Sequence, residues 1–167
     1  LAGFQGQLPT MADWTDHMTT AFPEVRLKHY IEMRGTDGGP WGRLCALPAL
    51  WVGLLYDQSA LDAAWDLCRD WTDEEREYLR TEVPRLGLKT PFRGGKLQAI
   101  TQEVLKIARS GLANRDRRDR LDRDETLFID ILDEIASSGI TPAEELLDAY
   151  ENDWQGNIDK VYETYSY

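Results

Sequence analysis

Glu32 and Arg34 sit two residues apart, and Asp37, Gly38 and Gly39 follow within five positions. A carboxylate supplies a hard oxygen donor for a divalent cation such as Mg2+. A guanidinium offers planar, two-pronged donors to a phosphoryl or carboxylate group. Backbone N–H groups of a glycine turn can add anion contacts. These residue types, at the end of a strand, suit a site that handles a metal ion and phosphate. The lone histidine of the preceding segment, His17, has no second ligand near it and reads as a surface residue.

The segment that must position these groups is residues 25–34, V-R-L-K-H-Y-I-E-M-R. Val25, Leu27, His29, Ile31 and Met33 alternate with Arg26, Lys28, Tyr30, Glu32 and Arg34. Successive side chains of a strand point to opposite faces, so one face is mostly apolar and the other carries three cations, a carboxylate and a phenol. An ordinary half-buried strand has the same alternation, so the pattern alone admits both a site and a plain sheet strand. Lys28 and Arg26 share the charged face and could bind a substrate carboxylate or a nucleotide. No other segment of the chain reads convincingly as a strand. A lone strand cannot satisfy its own backbone groups, so sheet partners are expected from elsewhere in a longer polypeptide or from another chain.

The rest of the sequence reads as helices. Thr10 caps a short helix over 11–22, stopped by Pro23 after a loop over the first ten residues. An apolar helix over 44–56 places Pro48 in its first turn, where a missing N–H costs little. Ser59 can cap a helix over 60–71. Thr72 and Glu75 make a capping box that opens a helix ending before Pro84. Residues 86–95 read as a loop whose cations, Lys89 and Arg93, either serve a connector or close over an anionic ligand. An amphipathic helix spans 96–114, and the mixed-charge run 115–123 is a solvated connector. Helices follow over 125–136, from Pro142 to about 152 behind a capping box at Thr141, and from 158 to the end. Trp51, Tyr56, Trp65, Trp71 and Tyr78 are expected as helix-packing core.

The chain has 167 residues, 42% hydrophobic and 29% charged, with a formal net charge of −11. That is enough for one domain with a core. Such an acidic chain is a poor partner for nucleic acid or an anionic membrane. No apolar run approaches the roughly 18–20 residues needed to span a bilayer, and residues 1–6 carry neither the basic nor the apolar part of a signal peptide. Two widely spaced thiols, Cys45 and Cys68, suggest a reducing compartment and hence a cytoplasmic protein. There is no P-loop, no G-x-G-x-x-G and no Cys/His metal pattern.

The sequence H-Y-I-E-M-R-G-T-D-G-G-P-W-G-R-L-C-A-L-P-A-L-W-V-G-L-L-Y-D (29–57) resembles the signature of the plant and proteobacterial type of glutamate–cysteine ligase. The likeness continues through P-R-L-G-L-K-T-P-F-R-G-G (84–95), T-P-A-E-E-L-L (141–147) and the aromatic tail near Trp154 and Tyr162. The run 115–123 looks most like an insertion. Members of that family are much longer, so the resemblance implies a single C-terminal segment of a larger catalytic domain. Residues 1–41 would hold a loop, a short helix and the active-site strand and turn, and 42–167 a helical region. The implied fold is α+β: a mostly helical region contributing one strand, about 25–34, to the antiparallel active-site sheet of a glutamine-synthetase-like ligase. The implied activity is ATP-dependent joining of L-glutamate, through its γ-carboxylate, to L-cysteine, with Mg2+ as cofactor and ATP as a substrate; the rival readings are another ATP-dependent carboxylate–amine ligase of the same superfamily and a non-catalytic helical interaction module. The remainder of the catalytic domain is then the partner, with no nucleic acid or membrane involved. By the same resemblance Glu32 is a Mg2+ ligand, Arg34 contacts the transferring phosphoryl group, and Asp37 is the acid of the same turn. Plant relatives use cysteines for redox control, which makes Cys45 the redox candidate. By residue type alone, Cys45 and Cys68 read as two buried, reduced thiols.

Overall fold

In the computed structural model, residue 3 and residues 6–165 are described. The expected N-terminal loop falls partly outside this range, at residues 1, 2, 4 and 5. The end of the expected last helix, at 166 and 167, does so as well. The fold is mostly α-helical with two small antiparallel hairpins. It divides into two compact units, residues 1–38 and 39–167.

The first unit holds α1 (Met11–Met18) and the strands β1 (Val25–Leu27) and β2 (Ile31–Met33). Thr10 caps α1 as expected, and Asp13 completes a capping box by accepting from the Thr10 backbone N–H. The helix stops at Met18, one turn short of the expected end. The expected continuous strand over 25–34 is corrected to a hairpin. Lys28, His29 and Tyr30 form the turn, in which Lys28 N–H donates to Tyr30 O at 2.8 Å. β1 and β2 pair antiparallel, with Val25 opposite Met33, Arg26 opposite Glu32 and Leu27 opposite Ile31. The ladder therefore finds partners within this chain, contrary to expectation. A three-residue turn preserves the odd–even parity, so the apolar and charged faces read from the sequence survive the change. The apolar face is uncovered: Leu27 is 82% exposed and Ile31 59%.

The second unit is built on α2 (Trp41–Leu55) and α5 (Leu97–Arg115), joined by α3 (Gln58–Cys68) and α4 (Asp73–Leu86). Ala49, Leu54, Ala108, Leu112 and Ile129 make the core. Gly53 and Gly111 let α2 and α5 meet backbone to backbone. A Cβ on Gly53 would lie 2.3 Å from Ala108 O, and one on Gly111 would lie 2.0 Å from Gly53 O. α2 begins at Trp41, so Pro48 lies mid-helix rather than in the first turn. Burial of this apolar helix outweighs the hydrogen bond that proline removes. α3 is capped by Asp57, which accepts from Ala60 N–H, and not by Ser59, whose hydroxyl donates to Asp57 instead. α4 opens on the expected Thr72–Glu75 box but runs through Pro84 to Leu86. At that point the proline costs one bond near a helix end.

The expected loop over 86–95 contains a 3-10 turn (Gly87–Lys89) and a second hairpin, β3 (Pro91–Phe92) with β4 (Gly95–Lys96). Arg93 and Gly94 form its two-residue turn, both at positive φ (47° and 80°), the backbone that such tight hairpins require. Phe92 is buried, its ring edge-on to Trp71 at 5.1 Å. After α5 and the solvated run come a 3-10 segment (Glu125–Ile129) and α6 (Asp130–Ser138), ended by Gly139 at φ 71°. α7 (Pro142–Asp148) starts on the expected Thr141–Glu144 box. It passes into a π-helical turn (Ala149–Asp153), and α8 (Lys160–Tyr165) follows. The expectation that the aromatics are all core is corrected: Tyr56 is 71% exposed and Trp65 61%. No single helix among the described residues is long and apolar enough to cross a membrane.

Candidate functional site

The hairpin of the first unit brings together three of the residues singled out by type. Arg26 and Glu32 face each other across the ladder, and Arg26 Nε donates to Glu32 Oε2 at 2.8 Å. Arg34 lies one step past β2 on the same face, with Nη1 3.5 Å from the same oxygen. Its backbone N–H donates to Glu24 O at 2.8 Å, which extends the pairing past the strand end. The Arg34 guanidinium also stands over the Phe22 ring, 5.1 Å from its centroid. A guanidinium over an aromatic face gains a cation–π contact.

One carboxylate thus stands between two guanidiniums, all three side chains 18–29% exposed. The Arg26 hydrogen bond, and after it the charges of Arg26, Arg34 and Lys28, hold the Glu32 carboxyl below its ordinary range. Glu32 is therefore ionised at neutral pH. Both contacts fall on Oε2, and among the described residues no hydrogen bond is made to Oε1. A single free carboxylate oxygen fits a divalent cation as one donor of several. Among the described residues no group of three or more His, Cys, Asp or Glu side chains is placed to hold a metal. Lys28 sits in the exposed hairpin turn, and Asp37 is exposed in the loop beyond β2.

The two cations of 86–95 are engaged by carboxylates of the second unit. Arg93 donates Nε and Nη2 to the two oxygens of Glu75 at 2.7 and 2.6 Å. Its Nη1 goes to Asp70 Oδ1 and Oδ2, and Nη2 also to Asp70 O. All the donor nitrogens of the guanidinium are used within the fold. Lys89 Nζ pairs with Glu144 Oε1. Glu75 and Glu144 are also the acids that close the capping boxes of α4 and α7. Each carboxyl is driven to about 2, chiefly by its Arg93 or Lys89 partner and then by the capped backbone N–H.

Cys45 is half-buried beside Pro48, Ala49, Val52, Glu125 and Phe128, in a groove of about 260 Å3. Cys68 donates its Sγ–H to Ala64 O at 3.3 Å, and the two thiols are not joined. The Arg26–Glu32 pair and the Phe22 platform were missed by sequence reasoning. The signal for the pair was the polar Lys28-His29-Tyr30 triplet, which can turn a strand back on itself.

A family model described as "Glutamate-cysteine ligase family 2 (GCS2)" matches residues 5–164. The chain belongs to glutamate–cysteine ligase family 2. It is 53% identical over 162 residues to the chloroplastic glutamate–cysteine ligase of Arabidopsis thaliana, covering 97% of this chain and 30% of the relative. It is 52% identical over 162 residues to glutamate–cysteine ligase A, chloroplastic, of Oryza sativa subsp. indica, with 97% and 32% covered. It is 51% identical over all 167 residues to the chloroplastic glutamate–cysteine ligase of Nicotiana tabacum, covering 31% of that chain. The chain therefore spans about a third of the length of these family members. The relatives carry chloroplastic names, which overturns the cytoplasmic placement expected from the cysteine content.

Proposed function

We propose that this chain is part of an ATP-dependent ligase that joins the γ-carboxylate of L-glutamate to the amine of L-cysteine, the first step of glutathione synthesis. In that reaction a γ-carboxylate oxygen attacks the γ-phosphorus of ATP and ADP leaves. The cysteine amine then attacks the acyl phosphate carbon, inorganic phosphate departs, and an amide bond is left. The carrying observation is the charged face of the hairpin. There Glu32 is ionised with its contacts among the described residues on Oε2, and the Arg34 guanidinium stands over the Phe22 ring beside it.

Glu32 would give one oxygen to Mg2+, which would supply positive charge against the transferring group. Arg34 would hold the γ-phosphoryl oxygens in line for transfer. Lys28 and Asp37, exposed at the turn and in the loop beyond β2, would touch nucleotide or glutamate. Lys89 and Arg93 rank below them, since their charges are already met by Glu144, Asp70 and Glu75. The uncovered apolar face of the hairpin would be covered by the remainder of a catalytic domain, as in a glutamine-synthetase-like sheet. Any disulfide at Cys45 would then use a partner outside this chain.

Glu32→Gln keeps the shape of the side chain and removes its charge. In the full-length polypeptide carrying this chain it is expected to lower turnover by about two orders of magnitude or more while the protein stays folded. Near-normal turnover at saturating Mg2+ would reject the assignment.

A further inference from the structure

We infer that Arg26 is a positioning residue that fixes the Glu32 carboxylate for a divalent cation, rather than a contact to nucleotide or substrate. The inference rests on the reading of Glu32 as a metal ligand. Arg26 sits directly opposite Glu32 in the ladder, so its reach is set by strand register and not by a mobile loop. It is the least exposed of the three charged side chains, at 18%. Its Nε is committed to Glu32 Oε2 at 2.8 Å, while Arg34 stands back at 3.5 Å. A charge-assisted bond of that length to Oε2 restrains the carboxylate rotamer. Outer partners of this kind orient metal-ligating carboxylates, and their loss typically costs about 10–100-fold in metal affinity or activity.

Charge alone works in the opposite direction. A guanidinium a few ångströms from the cation repels it, so its removal tightens binding of every divalent ion alike. Orientation discriminates between ions. Mg2+ demands near-ideal octahedral geometry, while Ca2+ accepts irregular and larger shells. A carboxylate freed from Arg26 therefore loses Mg2+ relative to Ca2+. The Mg2+:Ca2+ affinity ratio separates positioning from electrostatics.

The test is cation binding to the full-length polypeptide without nucleotide. Mg2+ and Ca2+ compete against Mn2+, whose free-ion EPR signal is followed, in wild type, Glu32→Gln, Arg26→Gln and Arg26→Lys. The component lost in Glu32→Gln is the Glu32-dependent site. At that site Arg26→Gln is expected to lower the Mg2+:Ca2+ ratio roughly tenfold. Arg26→Lys, which keeps the charge without the planar fork, is expected to lower the ratio with no overall tightening. It also covers the case in which the glutamine variant does not fold. An unchanged ratio in the folded variants overturns the inference. So does a raised KM for ATP at saturating Mg2+ with the ratio intact, which would make Arg26 a nucleotide contact. If Glu32→Gln itself keeps wild-type cation binding, the metal role of Glu32 fails, and that failure is told apart from the failure of Arg26 alone.

Discussion

Arg93 is an arginine in the left-handed backbone region, where residues with a Cβ are uncommon. The cost is offset by bidentate pairing to Glu75 and by bonds to Asp70, which tie the second hairpin to the start of α4. The same residue type that could close over an anion is here consumed by the fold, and the sequence alone could not separate the two uses. The Glu75 carboxyl is held at about 2, against 4.5 for an unperturbed glutamate. Since its folded value is depressed, the pairing stabilises the protein fully above pH 4.5. That contribution is lost as pH falls from about 4.5 to about 2. Arg93→Ala should return the Glu75 pKa most of the way to its ordinary value, the Thr72 N–H holding back the rest. Titration of Glu75 by NMR checks this, and a value that stays near 2 would assign the shift to the cap alone.

At the scale of elements, the α2–α5 crossing is the contact on which the helical unit depends. In an exposed helix, glycine to alanine stabilises by about 1 kcal/mol. At Gly53 the new Cβ would meet Ala108 O at 2.3 Å, so the helices must separate. Gly53→Ala is expected to reverse that sign, costing about 1–3 kcal/mol and lowering the melting temperature by roughly 3–10 °C. An unchanged or raised melting temperature would contradict the close crossing. Helix positions were legible in the sequence because caps act locally: Thr10 heads a helix as an N-cap, and Thr72 and Thr141 do so as their spacing with Glu75 and Glu144 implies. The proline positions were not, since Pro48 and Pro84 are tolerated where burial and neighbouring turns outweigh one lost bond. The hairpins were missed for a related reason. Alternation over 25–34 is the same for one strand as for two joined by three residues, and only the ladder distinguishes them. The charged face, which depends on parity, was readable. The Arg26–Glu32 pair, which depends on register, was not.

At the scale of the whole molecule, a chain with net charge −11 carries one small cationic face in its first unit, around Arg26, Lys28 and Arg34. The opposite, apolar face of that hairpin is exposed, and the chain spans about a third of its family relatives. Both features agree with a segment that contributes a hairpin to a site completed elsewhere. The most direct test of that account is ADP release by the full-length polypeptide with Mg2+, ATP and glutamate, measured with and without cysteine. The account predicts release that depends on cysteine, with one γ-glutamylcysteine formed per ADP. Release supported only by some other amine would contradict the substrate, and no release with any amine from a folded protein would contradict the ligase.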